Sequence, residues 1–357
     1  MKAILRQNKA IWLALAAAAL FGASAPLAKL LLAEIHPLPL AALLYSGSGV
    51  GLLLYRFARR AGGRGLKAEA KISKADMPWL LGATISGGIA APVVLLFSLR
   101  ITPAATASLV LNFEGVATVL IAFFVFREAI GRRVWLAVAF VTLGVILLAV
   151  DFSGKWGFSI GALGVVAACV LWGLDNNLTR SISTKDPIRI VVVKGMAAGV
   201  LNLTLAFSAG TPFPGLGPAL LACALGFFCY GLSIVCFIFS LRELGAARTS
   251  TYFSTAPFIG AALSFLIFRE TPPMLFIVAL PFMVLGAYLL FSEKHSHRHQ
   301  HHELEHEHLH AHLDGHHLHE HPGDIAAPAH SHPHQHAPVA HEHPHRPDAH
   351  HRHDHQE

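Results

Sequence analysis

Charged side chains are scarce in this chain. Lysine, arginine, aspartate and glutamate together make up 13% of its 357 residues, about half the share found in a soluble globular domain. The shortage is sharper than the average suggests, because residues 295–357 are wholly polar and hold many of those charges. Cysteine is also rare. Cys169, Cys223, Cys229 and Cys236 all lie inside apolar stretches without CxxC spacing, which excludes a disulfide frame and reads as small buried hydrophobes. Histidine is missing from the first 294 residues apart from His36. No phosphate loop, HExxH helix or nucleophile elbow is present, so nothing in the chain points to an enzyme. The net charge of +6 is spread over short loops and gives no basic patch for nucleic acid.

What is present is apolar sequence in blocks of about 20 residues, the length that crosses a bilayer core. Mean hydropathy is +0.53 even with the tail included. Apolar windows and their breakers predict ten spans near 11–32, 38–57, 77–99, 103–126, 133–151, 158–180, 187–209, 216–240, 245–268 and 273–292, with His36-Pro37, Thr102-Pro103, Asp186-Pro187, GTPFPGLGP (210–218) and Thr271-Pro272-Pro273 as punctuation. Ala23-Ser24-Ala25 imitates a signal-peptidase site, but Pro26 follows it and the apolar run continues to Leu32; the segment reads as a retained first span. With the N-terminus inside, the cytoplasmic segments collect Lys2, Arg6 and Lys9, then Arg56, Arg59, Arg60, Arg64, Lys67, Lys71 and Lys74. They go on to collect Arg127, Arg132, Arg133, Arg180, Lys185, Arg189, Arg242, Arg248 and Lys294. The opposite loops hold Arg100, Lys155 and Arg269. That bias predicts both termini on the cytoplasmic side of a bacterial-type inner membrane.

The chain repeats itself. LRITPAATASLVLNFEGVATVLIAFFVFRE (99–128) aligns without a gap on LRELGAARTSTYFSTAPFIGAALSFLIFRE (241–270), at an offset of 142, and LGVILL (143–148) matches LGAYLL (285–290). FGASAPLAK (21–29) echoes WGLDNNLTR (172–180) more weakly. Five spans per copy is an odd number, so the second copy must be inverted, as in carriers with a substrate site at the repeat interface. The expected architecture is an all-α polytopic membrane protein: ten transmembrane helices in two inverted five-helix repeats (1–151 and 152–294), followed by a disordered His-rich cytoplasmic tail (295–357).

Two five-helix halves, an aromatic-Gly pair in each first helix (Phe21-Gly22, Trp172-Gly173) and a fourth helix in each half ending in Arg-Glu (Arg127-Glu128, Arg269-Glu270) resemble the EamA-like carriers of the drug/metabolite transporter superfamily. The resemblance covers about residues 10–292. It implies a secondary carrier of metabolites or drug-like solutes, often outward and often proton-coupled, working by alternating access. Pro257 fits the family's habit of a proline in the fourth helix of each half; in the first half the equivalent residue is Gly115, preceded by Glu114.

Glu114 is the residue that most needs an explanation. A carboxylate in mid-span costs ~3 kcal/mol on insertion scales and so faces the bundle interior or a wet cavity. Ala107, Val110, Leu111, Ala117 and Thr118 share its helical face. Two readings stand: a group that takes the coupling proton or pairs with a cationic substrate, and a structural carboxylate satisfied by a neighbouring helix. Asn112, Asp175, Asn176, Asn177, Lys194, Asn202 and Tyr252 are the other candidates for contact with substrate or proton. Against them stand interhelical hydrogen bonding for the amides and snorkelling for Lys194. Lys194 is otherwise a cation for Glu114 or for an anionic substrate. Lys29 reads as an anchor near the outer interface.

The tail reverses the shortage of histidine. Residues His295, His297, His299, His301, His302, His306, His308, His310, His312, His316, His317, His319 and His321, with those that follow them, are neutral imidazoles at close spacing at cytoplasmic pH. Such a tract suits Zn, Ni, Co or Cu and lacks the apolar area to fold. No cofactor is required by the core. The expected partners are a small-molecule substrate, membrane lipid and divalent metal at the tail, with a second copy of the chain as a further candidate. Three classes therefore compete: an organic-solute carrier, a divalent-metal carrier fed by the tail, and a membrane anchor that only displays it. Deletion of residues 295–357 separates them in a transport assay: the first keeps its activity, the second loses apparent affinity, and the third loses all measurable function.

Overall fold

The computed structural model describes residues 2–62, 72–127, 130–151, 157–182, 185–244, 249, 252–269 and 271–291, together with 295–300, 304–311, 329–336 and 340–345 of the tail. Among the described residues the body of the chain is helical apart from a short ladder between its halves. Among the described residues eight helices are long and apolar enough to cross a membrane: α1 (Asn8–Leu31), α2 (Pro37–Arg59), α3 (Lys74–Ile101), α4 (Ala104–Phe124), α5 (Arg132–Ala149), α6 (Ile160–Arg180), α7 (Pro187–Ser208) and α8 (Leu216–Ser240). Two shorter apolar helices follow, α9 (Ala256–Phe268) and α10 (Met274–Leu290). The expected ten spans are thus met by eight membrane-length helices and two short ones. The difference is largest at the ninth, where a turn at residues 254–255 precedes Ala256-Pro257 and the continuous helix starts only there, as a proline in the first turn favours.

Helix starts follow local chemistry. Asp186 caps α7, its carboxylate accepting from the Arg189 N–H at 3.1 Å, with Pro187 next in line. Ser159 caps α6 by accepting from the Ala162 N–H at 3.3 Å. The two halves are joined by a two-residue antiparallel ladder, Val150–Asp151 with Gly157–Phe158. In the tail, His295–Gln300 pairs with Ala340–His345 and Leu304–Ala311 with Ala329–His336. Isolated two-stranded ladders of this kind are at best marginally stable in water.

The helix pairings are symmetric under exchange of each helix with the one five further on. α2 packs on α7, α5 on α10 and α4 on α9; α1 packs on α8 and α9, while α6 packs on α3 and α4; α2 meets α8, and α7 meets α3. Backbone irregularities repeat as well. A π-helical turn runs through Thr84–Ala90 of α3 and another through Gly226–Leu232 of α8. Arg127 and Arg269, just past α4 and α9, both adopt left-handed backbone, at φ 55° and 51°. Both pairs of features stand at the offset of 142 found in the sequence.

Helices in lipid gain little from hydrophobic association and rely on close packing. Here glycine provides it. A Cβ added to Gly47 would lie 2.1 Å from the Cys223 carbonyl oxygen, and one added to Gly226 would lie 2.0 Å from that of Leu44, so α2 and α8 touch backbone to backbone. Gly49 and Gly195 do the same between α2 and α7, at 2.7 Å from Met196 N and 2.9 Å from Gly49 Cα. Gly22 against Gly260 joins α1 to α9, and Gly173 against Thr118 joins α6 to α4, which are equivalent positions in the two halves.

Gly47→Val is expected to destabilise the detergent-purified protein by about 3 kcal/mol in SDS-induced unfolding, as overpacking against rigid backbone does. Gly217→Ala, where nothing lies within 4 Å, serves as the silent control. Equal stability of the two variants would contradict the packing.

Candidate functional site

Pro92 sets the site's geometry. It stands inside α3, four residues after Gly88 and five after Gly87. It has no N–H, so the helix offers no donor to the Gly88 carbonyl in α-helical register or to the Gly87 carbonyl in the π register of that turn. Side chains from three other helices supply the donors. Tyr45 Oη of α2 donates to Gly87 O at 2.6 Å, and Trp172 Nε1 of α6 donates to the same oxygen at 3.0 Å. Asn202 Nδ2 of α7 donates to Gly88 O at 2.9 Å. Asn202 is fully buried, and its Oδ1 has no protein partner.

α4 is interrupted just before Glu114. The Asn112 N–H bonds to Leu109 O at 3.1 Å, the Glu114 N–H to Leu111 O at 3.1 Å and the Gly115 N–H to Asn112 O at 3.3 Å, which is the tighter 3₁₀ spacing. The Asn112 amide also bonds to Leu109 O, at 3.1 Å. Asn112 thus helps to hold the break. The break resets the helical face, so Thr118 stays beside Glu114 while Ala107 and Val110 are fully buried in the packing.

The Glu114 carboxylate accepts from Asn176 Nδ2 at 2.9 Å, and the same amide reaches Thr118 Oγ1 at 3.1 Å. Asn177 next to it donates to Thr118 O at 3.0 Å and to Gly173 O at 2.8 Å, tying α6 to α4 by interhelical bonding. Asn176 is exposed and Glu114 is only partly covered, so this carboxylate is not sealed. Asp175, by contrast, is buried and paired. Lys194 Nζ of α7 lies 2.5 Å from its Oδ1, with Thr179 Oγ1 donating to the same oxygen at 2.8 Å. The expected pairing of Lys194 with Glu114 is corrected: its partner is Asp175, one residue away from Glu114's own partner. Glu114, Asp175, Asn176, Asn177, Lys194 and Asn202 all converge where α6 meets α3, α4 and α7. Tyr252 lies just before α9, with its carbonyl accepting from Thr255 Oγ1 at 2.7 Å. Lys29 donates to Thr102 O beyond α3, a tie between helix ends.

Sequence reasoning missed Tyr45, Trp172 as a donor, Thr179 and the Gly87-Gly88…Pro92 pattern. The last of these was readable, because two glycines followed by an intrahelical proline mark carbonyls that need outside donors. His36 lies between α1 and α2, its ring edge-on to Phe97 at 5.6 Å; burial and the nearby Arg100 hold its imidazole below the usual range. The thirteen tail histidines from His295 to His321 named as metal candidates have side chains outside the described residues, as does Glu128 of the first Arg-Glu pair and Glu270 of the second.

Residues 8–150 and 159–292 each match the profile of the EamA-like transporter family. The chain belongs to the EamA-like transporter family. An uncharacterized transporter of Methanothermobacter thermautotrophicus is 29% identical over 286 residues, covering 76% of this chain and 82% of that one. Another, from Clostridium kluyveri, is 23% identical over 240 residues, covering 63% and 75%. A protein of known crystal structure shares the fold at a TM-score of 0.54 and 21% identity, covering 79% of this chain and 97% of its own. This EamA-like protein is accordingly a multi-pass membrane transporter.

The Asp175–Lys194 pair is buried, with side chains 11% and 15% exposed. Breaking it by Lys194→Met leaves an uncompensated carboxylate and is expected to destabilise the protein by about 3 kcal/mol. Lys194→Met combined with Asp175→Asn restores most of that loss. A double-mutant cycle in SDS unfolding measures it, and additive effects would contradict the pairing.

Proposed function

We propose that this EamA-like transporter is a secondary carrier of a small organic solute in the inner membrane, an alternating-access exporter in which Glu114 takes the coupling proton. The observation that carries the reading is the Glu114 carboxylate itself. It sits at a break in α4, incompletely covered, with a neutral amide as its hydrogen-bond partner. A structural carboxylate in a membrane bundle would be expected to have a cation or to be closed off. An open one beside a helix break can gain and lose a proton as the bundle rearranges.

The inverted arrangement of the two halves is part of the same proposal. Supporting it are the exchange symmetry of the helix pairings, the π turns and left-handed arginines at one offset, and the contrast between the basic loop near residues 57–76 and the uncharged loop 210–218. Both termini then lie in the cytoplasm, and the tail is read as a metal-binding appendage there. Carriage of a divalent metal is the weaker reading, because Asp175 is paired with Lys194 and Asn176 turns an N–H rather than an oxygen ligand toward Glu114.

A strain overexpressing the protein is screened for resistance against amino acids, toxic analogues, amines and metals, and the compound it tolerates is then followed in proteoliposomes. Glu114→Gln is expected to slow transport at least about tenfold and to abolish its pH dependence, since a general proton carrier with no ionisable group loses both. An unchanged rate with an unchanged pH response removes Glu114 from the mechanism. Topology reporters at 60–75 and 210–218 should fall on opposite sides; the same side for both would end the inverted-repeat reading.

A further inference from the structure

We propose that the tail binds zinc between two antiparallel arms, one ion across two neighbouring histidine rungs of each ladder, and that the ion fixes the pairing of the arms. The site rests on the reading of the tail as a metal-binding appendage and gives the metal a definite place in it.

The spacing of the histidines comes first. They recur at every second residue in HSHRH (295–299), HEHLH (306–310), HSHPHQH (330–336) and HEHPH (341–345). Two is the period of a strand, so within each stretch the histidine positions fall on one face. A tract that merely accumulated histidine would have no reason to keep that period. Elsewhere the tail does not keep it, as at the adjacent His316 and His317.

The register of the strands is the second observation. In the outer ladder His295, His297 and His299 stand across from His345, His343 and His341. In the inner ladder His306, His308 and His310 stand across from His334, His332 and His330. One register serves both ladders: counting forward from His295 and back from His345 brings His306 opposite His334. A slip of one residue would set His297 against Glu342 or Pro344, and His308 against Ser331 or Pro333. The observed pairing is therefore the one that matches histidine with histidine.

Opposite residues of such a pair have Cβ atoms about 5 Å apart, and diagonal ones about 7–8 Å. Four imidazoles from two neighbouring rungs, such as those of His297, His299, His341 and His343, can then close on one ion at Zn–N distances of about 2 Å. Each ladder has three histidine rungs, so a second four-coordinate ion does not fit on it. Neutral imidazole suits zinc and its transition-metal neighbours, whereas calcium and magnesium take oxygen ligands. The intervening rungs, among them Arg298 with Glu342, fall on the other face. Arms this poor in apolar sequence have no core to hold them together. A metal that clips them closes a long loop, and its binding free energy becomes folding free energy. Binding needs the neutral imidazole, so it weakens as pH falls through the ordinary histidine range near about 6.5.

The test uses the full chain in detergent micelles, stripped of metal, with Zn(II) as the probe. Binding is followed by calorimetry, and amide hydrogen exchange is read by mass spectrometry with and without the ion. The expected result is one tightly bound zinc ion for each ladder. Zinc should slow exchange at 295–300, 304–311, 329–336 and 340–345 by at least about tenfold and leave 313–328 unchanged. Reordering residues 340–345 so that their three histidines stand side by side keeps the composition and removes the alternation. That chain should bind the outer ion at least about tenfold more weakly and the inner ion as before. Replacing His316→Gln and His317→Gln together, outside both ladders, should change neither. Zinc bound equally well by the reordered chain overturns the proposal, as does zinc bound without slowed exchange or with slowing spread evenly over the tail. In each of those cases the tail remains a metal-binding appendage. Absence of zinc binding refutes the ladder sites and that wider reading together.

Discussion

A backbone carbonyl inside a membrane must find a donor within the protein, because lipid offers none. In this EamA-like transporter that constraint falls on Gly87 and Gly88, whose carbonyls lose their helical partners to Pro92. The three side chains that answer it, Tyr45, Trp172 and Asn202, come from α2, α6 and α7, so one missing N–H draws four helices to a single point. The rest of the site hangs on that point. Trp172 fixes the rotation of α6, and that rotation aims Asp175 at Lys194 and Asn176 at Glu114. Asp175 Oδ2 is pressed so close to Gly87 that an added Cβ would sit 1.9 Å away, which leaves no room for a side chain at residue 87.

The two halves share a scaffold but not their chemistry. Gly22 against Gly260 and Gly173 against Thr118 are matching contacts. Yet the position of Glu114 in the first half falls to Ala256 in the second, and that of Gly88 falls to Tyr230. The second π turn also lacks a proline at the place of Pro92, where Ile234 stands. A duplicated frame thus holds a single acid on one side and an aromatic ring on the other, an asymmetry that a symmetric fold can use to distinguish two ends of one solute.

Much of the fold was legible in the sequence because lipid imposes a length. Runs such as 133–151 and 187–209 needed little beyond hydropathy, and the LR…FRE frames exposed the duplication. The ninth helix was harder to delimit, since the turn at residues 254–255 falls within a stretch that otherwise reads as one span, and Pro257 marks the start only in hindsight. The prominence of Glu114 was readable from a lone charge among apolar neighbours. The partner of Lys194 was not: spacing along one helix says which residues share its face, whereas Asp175 approaches from another helix whose rotation is set by Trp172. Sequence also treated α4 as one straight helix, and the 3₁₀ spacing around Asn112 has no strong compositional mark.

The glycines of α2 carry a mechanical consequence. With Gly47, Gly49 and their partners on α7 and α8 leaving main chain against main chain, these helices meet at that crossing without side chains to ratchet past one another. They can swivel about their crossing like blades on a rivet, but they cannot part without opening a void that nothing nearby would fill. The rearrangement proposed above would then fall to the π turns of α3 and α8, which pack against these helices.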